Sequence, residues 1–483
     1  MRKHFAVAIV CVVSLIVFFV GLGAAPLFDY DEATYGDVAV KGALGRSPDP
    51  LTFWRYDSRD QLQPWFEKPP LALWLQSFSM ALLGVSESAV RLPSALAGVG
   101  IAMLVYLIAR RMGGWPAGLA GAAVALTTPF FVRWAREGRL DAPALFFMML
   151  ALWFWLDSDR ARWKRYAFWA ALGFGFLAKS AIVLLIPVTI GVYLLMWDRS
   201  GLKRMLSSLD TYLGAGVFAA VVLPWHIYEI MRYGQDFVSS YFGKHLIGRA
   251  SANYFGDPRN PVYNRLFYVR FLWSFGQPWI SVVLAGLVAA VFAPWRAALR
   301  QSQLFRIGII GSALVLGVFT VLPSRLGTYL MPIVPFLALI AAACVGILWH
   351  TFARQTRLRL AVASAGAAVL MVAAVLLAGE ISKPAGDFLD DEKAVGLALQ
   401  GSAKAVYLYD WDFVESIMFY SQKGLQQVGE LDAVADLADA ALIMPSDAAK
   451  RLSLTAGDLV MTRRYEGPYL TLLEFSDSRS GER

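Results

Sequence analysis

Cysteine is nearly missing from this chain: 483 residues carry two, Cys11 and Cys344, and both fall inside apolar runs. Two isolated thiols give no basis for a disulfide framework or a cysteine-based metal site. Charge is scarce as well, with 17% Asp, Glu, Lys and Arg against 58% hydrophobic residues and a mean hydropathy of +0.53. That balance is too apolar for one soluble core. The sequence also lacks a P-loop, a dinucleotide-binding glycine fingerprint, an HExxH and a GxSxG. Nucleotide-driven transport and serine hydrolase chemistry are therefore poorly supported. Neither an internal repeat nor a low-complexity segment is found.

What the chain has instead is a series of membrane-length apolar runs. The first, Phe5 to Ala24, follows Arg2-Lys3-His4 and has no convincing small-x-small cleavage site, so it is read as a retained span. Further runs lie near 91–109, 116–132, 142–156, 166–178, 180–197, 211–230, 278–294, 305–321, 329–348 and 358–378. The expectation is a polytopic α-helical membrane protein of about 11 to 13 spans. Basic residues cluster in alternate short loops: Arg110-Arg111; Arg160 to Arg165; Arg199, Lys203 and Arg204; Arg296, Arg300 and Arg306; Arg354, Arg357 and Arg359. The positive-inside rule makes those loops and the N-terminus cytoplasmic. Topology thus explains most of the net charge of +8, and no nucleic-acid partner is implied.

Residues 1–380 form the expected membrane domain, with outer loops at 25–90 and 231–277. In the first loop, Leu71 to Leu83 is short for a span and suits a helix along the membrane surface. The tail, 384–483, alternates β-like runs (Ala405 to Tyr409, Leu442 to Met444, Leu459 to Thr462, Leu470 to Phe475) with helical patterns (Phe413 to Tyr420, Asp432 to Ala440). It reads as a small α/β domain outside the cytoplasm.

Asp31, Glu32, Glu67, Lys68, Asp141, Lys179, His245, Arg249 and Arg325 come from separate loops and helix ends, yet all map to the non-cytoplasmic face. Asp31-Glu32 puts two carboxylates at the membrane surface, where a general base acting on a headgroup-level substrate has to stand. The alternative is a solvated loop start. Pro69-Pro70 fix the backbone after Glu67-Lys68. Lys179 sits between two apolar runs, an expensive location unless it is paired or functional. A phosphate, the outer interface and Asp141 are its candidate partners. Asp141, followed by Pro143, reads as a helix N-cap, a catalytic acid or both. His245 and Arg249 stand at i and i+4; Arg249 suits a phosphate, and His245 is either a surface residue or a metal ligand.

These residues also carry a resemblance. Asp31-Glu32-Ala33-Thr34-Tyr35-Gly36-Asp37, Phe66-Glu67-Lys68-Pro69-Pro70, Arg91-Leu92-Pro93-Ser94, Arg139-Leu140-Asp141, Leu177-Ala178-Lys179, and Pro323-Ser324-Arg325 with Tyr329-Leu330-Met331-Pro332 occur in this order. Over about residues 5 to 350 the chain resembles the bacterial aminoarabinose transferase and protein O-mannosyltransferase superfamily, polytopic C-type glycosyltransferases that use polyprenyl-phosphate sugars. The resemblance implies Asp31, with Glu32 and Asp141, as the acidic catalytic positions. It implies Lys68, Lys179, Arg249 and Arg325 as ligands of the donor phosphate, and Glu67 with His245 as positions for a divalent metal (Zn, Mg or Mn). Its partners would be a polyprenyl-phosphate sugar, a lipid or envelope glycan acceptor, and membrane lipids. The location would be the bacterial inner membrane, with a periplasmic site. The family's first motif usually carries Arg at position 34 and Ala-Glu at 36–37, where this chain has Thr34 and Gly36-Asp37. A protein acceptor, or a lipid-linked-sugar flippase, are the alternative readings; a transporter would place its ionisable residues near the bilayer midplane rather than at one face.

Overall fold

The computed structural model describes residues 2–28, 30–57, 61–248, 261–292, 295–351, 379, 387–411, 415–429, 440–451 and 459–477. It opens with α1 (Arg2–Phe19) and, after a compact turn, α2 (Asp31–Ala43). A two-stranded antiparallel ribbon, β1 (Trp54–Tyr56) and β2 (Leu62–Pro64), leads to α3 (Leu71–Leu83), which begins directly after Pro69-Pro70. α3 buries Ala72, Leu73 and Met80 and exposes Phe78, Leu82 and Leu83, the two apolar faces of a helix held between protein and lipid.

α4 (Glu87–Thr127) is broken at Gly114, whose φ of 72° only glycine adopts at no steric cost, and α5 (Pro129–Arg136) bends 67° away from its second half. There follow α6 (Asp141–Trp155), α7 (Trp163–Lys179), α8 (Leu185–Trp197), α9 (Arg199–Ser207) and α10 (Leu209–Tyr233). A π-helical stretch, Val238–Gly248, comes next. The membrane part continues with α11 (Pro261–Phe275), α12 (Trp279–Phe292), α13 (Arg296–Gln301), α14 (Gln303–Val321) and α15 (Ile333–Thr351). α4 and α15 are the inner helices. A Cβ on Gly113 would lie 2.5 Å from the Gly346 Cα, so two glycines permit the close backbone approach that membrane helices use for packing.

Five helical runs among the described residues are long and apolar enough to cross a membrane, or seven if each bent pair is one span, against the eleven counted from sequence. Part of the difference is geometric. The run Trp163–Trp197 qualifies as one 35-residue piece, yet Trp163 touches Phe154 at 5.7 Å while Tyr193 touches Trp155 at 6.0 Å. A continuous helix would separate Trp163 and Tyr193 by about 45 Å. The chain therefore turns back at Ser180, and α7 and α8 are antiparallel legs. The apolar stretches of α1 and α6 fall short of membrane-spanning length, and 358–378 lies outside the described residues. One end of the bundle gathers cations: Arg111, Arg160 and Lys164 converge on Asp157, and Arg162 and Arg165 on Asp210. The opposite end of α7 carries Lys179.

The tail folds as α16 (Asp387–Leu399), β3 (Ala405–Tyr409), α17 (Glu415–Ser421), β4 (Gln426–Val428), β5 (Ala440–Pro445), α18 (Ser446–Arg451), β6 (Leu459–Glu466) and β7 (Leu470–Asp477). The sheet order is β4-β3-β5-β7-β6, with β4, β3 and β5 parallel and the β6–β7 pair antiparallel. β5 is central and buried from Ala440 to Met444. Ala440, expected at the end of a helical pattern, instead opens this strand, because it pairs with Ala405; residues 431–439 lie outside the described set.

Candidate active site

The site is a cavity of about 400 Å³ at the end of the bundle opposite the basic clusters. Its polar wall is made by Asp31, Glu67, Lys68, Lys179, Ser180, Tyr241, His245 and Tyr329, and its apolar floor by Leu185 and Val188 of α8 with Leu314 and Val318 of α14. Val188 and Val318 are exposed, so the floor opens sideways toward lipid. The chamber thus joins a charged headgroup region to an alkyl slot.

Each wall residue owes its place to a local chain feature. Asp31 is the first residue of α2, and Tyr30 before it has φ 64° and ψ −111°, a conformation that non-glycine residues rarely hold. Arg139 Nη1–H donates to Asp31 Oδ2 at 2.7 Å, and Arg139 Nε–H donates to Glu137 Oε2 at 2.5 Å, so the carboxylate is fixed from behind while its side chain stays 43% exposed. Lys179 ends α7, and its ammonium donates to Asp141 Oδ1. Asp141 is the first residue of α6; its carboxylate meets Lys179 and makes no side-chain cap. Ser180, at the α7–α8 break, has φ 59° and ψ −143° and shares a 2.9 Å hydrogen bond between its hydroxyl and that of Tyr241. Glu67 Oε2 lies 3.6 Å from His245 Nδ1, so the π-helical stretch brings the loop histidine to the Glu-Lys-Pro-Pro motif.

Two expectations change. Glu32 is not at the site: it has no exposed surface, and both oxygens are used. Arg91 Nε–H and the Gly138 N–H donate to Oε1, and Arg91 Nη2–H and the Phe28 N–H donate to Oε2. The remaining Arg91 protons go to the carbonyls of Leu22, Ala25 and Pro26. Glu32 and Arg91 hold the turn before α2 together instead. Arg325 is also turned away, because its guanidinium donates to the carbonyls of Pro323 and Thr320 at the end of α14, while Ser324 and Tyr329 face the cavity. Arg249 lies outside the described residues. For a divalent metal, Glu67 and His245 supply two donors, and among the described residues no group of three His, Cys, Asp or Glu forms. One carboxylate and one imidazole nitrogen would suit an ion such as Zn²⁺ or Mn²⁺ that takes its other ligands from water and substrate phosphate.

Burial pushes the Glu32 carboxyl up, but the Arg91 charge and the hydrogen bonds to it outweigh that and hold it below its ordinary value. A lowered carboxylate contributes stability above the unfolded-state value and loses it as pH falls through the folded-state value. We expect Arg91→Leu, which strands a buried carboxylate, to destabilise the protein by about 3 to 5 kcal/mol at neutral pH. The deficit relative to wild type should shrink under acid, where Glu32 takes a proton. Thermal unfolding in detergent at neutral and acidic pH checks this, and a deficit that does not vary with pH would remove Glu32 from the account.

Sequence reasoning missed Tyr35, Ser180 and Tyr241 as wall residues, and the clamp that Arg139 forms on Asp31. Arg139 and Tyr35 were visible inside motifs; Tyr241 had no pattern to mark it.

Residues 67–228, which hold Lys68, Asp141 and Lys179, match the family described as dolichyl-phosphate-mannose-protein mannosyltransferase. The chain is 29% identical over 286 residues to an undecaprenyl phosphate-alpha-4-amino-4-deoxy-L-arabinose arabinosyl transferase 1 of Pseudomonas fluorescens, covering 57% of this chain and 49% of the relative. It is 27% identical over 372 residues to a transferase 2 of that name from the same species, covering 74% and 61%. The chain thus spans about half to three-fifths of these curated relatives. Its fold matches the crystal structure of ArnT from Cupriavidus metallidurans bound to undecaprenyl phosphate, with a TM-score of 0.75 at 19% identity over 98% of both chains.

In sequence and fold the chain is similar to the aminoarabinose transferases and protein mannosyltransferases. It is a multi-pass membrane protein with a small strand-containing C-terminal domain. The archaeal oligosaccharyltransferase AglB of Archaeoglobus fulgidus shares the architecture more distantly, with a TM-score of 0.59 at 13% identity, covering 93% of this chain and 70% of that one. The family match begins at residue 67, so Asp31 stands on the geometry of the cavity and on the sequence motif around it.

Proposed function

We propose that the protein is an inverting glycosyltransferase that moves a sugar from an undecaprenyl-type polyprenyl phosphate to a lipid A-like or other envelope glycan acceptor, on the periplasmic side of the bacterial inner membrane. One observation carries the reading: a single cavity holds the cations Lys68 and Lys179 and the exposed carboxylate Asp31 above an alkyl slot that opens to lipid. The slot suits the first isoprene units of a donor whose phosphate rests at headgroup depth. The C-terminal domain, about 384–483, and the cavity then face the periplasm, and the cationic end of the bundle faces the cytoplasm.

Transfer breaks the bond between the anomeric carbon and the donor phosphate oxygen, and the electron pair leaves with the phosphate. Lys68 and Lys179 stabilise the charge that grows there. With a hydroxyl acceptor, Asp31 Oδ removes the proton as the acceptor oxygen forms its bond to the anomeric carbon from the opposite face, which inverts that centre. Arg139 keeps the carboxylate oriented for this. With a phosphate acceptor no base is needed. A divalent ion held by Glu67 and His245 would add positive charge beside the donor phosphate. The ionisable groups gather at one end of the bundle, which favours transfer over a flippase.

The test is mass spectrometry of envelope lipids, including lipid A, and of polyprenyl-phosphate sugars in a deletion strain. Loss of one glycan substituent with accumulation of its lipid-linked donor supports the reading and identifies both substrates. Unchanged pools overturn it in favour of a protein acceptor or of transport.

A further inference from the structure

We infer that the C-terminal domain positions Asp31, and that Tyr420 is the positioning residue. The inference rests on the proposed role of Asp31 as base. Residues 22–28 and 30–34 form a tight knot: Arg91 gathers the carbonyls of Leu22, Ala25 and Pro26, Glu32 binds the Phe28 N–H, and the Ala33 and Thr34 N–H groups donate to the carbonyls of Phe28 and Tyr30. Tyr30 sits within it at φ 64°, immediately before Asp31. A residue held in so sparsely populated a region persists only where its surroundings over-determine it.

One restraint comes from the other domain. Tyr420, at the end of α17, accepts a hydrogen bond from the Leu27 N–H at 2.9 Å and donates one to Glu87 Oε1, also at 2.9 Å. Lys393 of α16 donates to the same Glu87 oxygen at 2.5 Å. Leu27 and Tyr420 are both buried, so a lost hydroxyl leaves a buried N–H with no replacement from water. Beside it, Phe419 packs on Gly36 of α2: a Cβ at position 36 would lie 3.2 Å from the Phe419 ring and 3.0 Å from Leu27 Cδ1. A methyl at position 36 would push Phe419 or Leu27 back by a few tenths of an ångström, so glycine suits the close seat of α17. α17 thus grips both the backbone that leads into Asp31 and the helix that Asp31 begins. Elsewhere the domain is held by contacts that do not reach the knot, such as Arg55 Nη2 to Glu415 Oε1 at 2.8 Å.

Two measurements on the full-length protein test this. The first is independent of activity: Asp31→Cys, in a background with Cys11→Ala and Cys344→Ala, is titrated with a charged methanethiosulfonate reagent. Adding Tyr420→Phe should change its modification rate at least about threefold, while Glu67→Cys in the same background keeps its rate. An unchanged rate at position 31 overturns the inference whatever the enzyme's substrates prove to be. The second is a kinetic cycle in proteoliposomes, with the donor and acceptor identified by the lipid analysis. Tyr420→Phe should lower kcat about tenfold at nearly constant donor KM, and should cost almost nothing further in an Asp31→Asn background. Additive losses would make Tyr420 merely structural. An equal loss from Arg55→Gln would reduce the effect to general docking of the domain, and would also overturn the inference. Absence of transfer by wild type would count against the proposed function, and the thiol measurement would still decide whether Tyr420 positions residue 31.

Discussion

Lys179→Met is expected to abolish sugar transfer, a loss of at least about a thousandfold, because it removes one of the two described cations on the wall where the leaving phosphate develops charge. The single variant is ambiguous by itself. Lys179 is also the counter-ion of Asp141, whose side chain is only 5% exposed. Stranding that carboxylate should destabilise the protein by about 3 to 5 kcal/mol, enough to mimic loss of function through misfolding. The double variant Lys179→Met/Asp141→Asn separates the roles, since it removes the stranded charge but restores no cation. Its thermal stability should return to near wild type while transfer stays lost. Recovery of transfer in the double variant would show that Lys179 serves only to neutralise Asp141, and Lys68 would then be the cation to pursue.

Asp31→Asn should cost about two to four decades in kcat if the acceptor is a hydroxyl. Asparagine keeps the size of the side chain and can still accept from Arg139 Nη1, so the clamp survives and only the basic oxygen is lost. The variant should remain folded and should bind donor normally. Measured at saturating donor and acceptor, a fall confined to kcat identifies an interaction made in the transition state. A loss of less than about threefold would remove Asp31 as base and indicate an acceptor already ionised, such as a lipid phosphate.

Much of the site is legible in the amino-acid sequence. Asp31, Glu67, Lys68, Lys179 and His245 stand out there, and all five line one cavity. What marks them is energetic: ionisable residues next to apolar runs, on the face without the basic clusters, have few inexpensive explanations. Glu32 and Arg325 meet the same criterion and still do not line the cavity. Sequence distinguishes a charge near the membrane surface from one elsewhere, but it does not reveal whether the charge faces a cavity or is consumed by the backbone. Glu32 meets Arg91, 59 positions away, and Arg325 turns onto carbonyls two and five residues back.

The strands show a parallel division. β3 falls where the β-branched and aromatic alternation put it, Ala405–Tyr409, whereas the three-residue β4 exists only because β3 offers it an edge to pair with. Composition and hydropathy determined a polytopic membrane protein with a soluble tail, since no other solvent accommodates such apolar runs. The order of short motifs pointed to the resemblance that the comparisons also find. Tertiary structure alone decided that Arg139 rather than Glu32 accompanies Asp31, and that a tyrosine nearly four hundred residues away grips the turn before it. The reason is physical. Hydropathy and helical period are local properties of a chain, while the partner of a buried charge or an orphaned N–H is fixed by which distant elements the packing brings within about 3 Å.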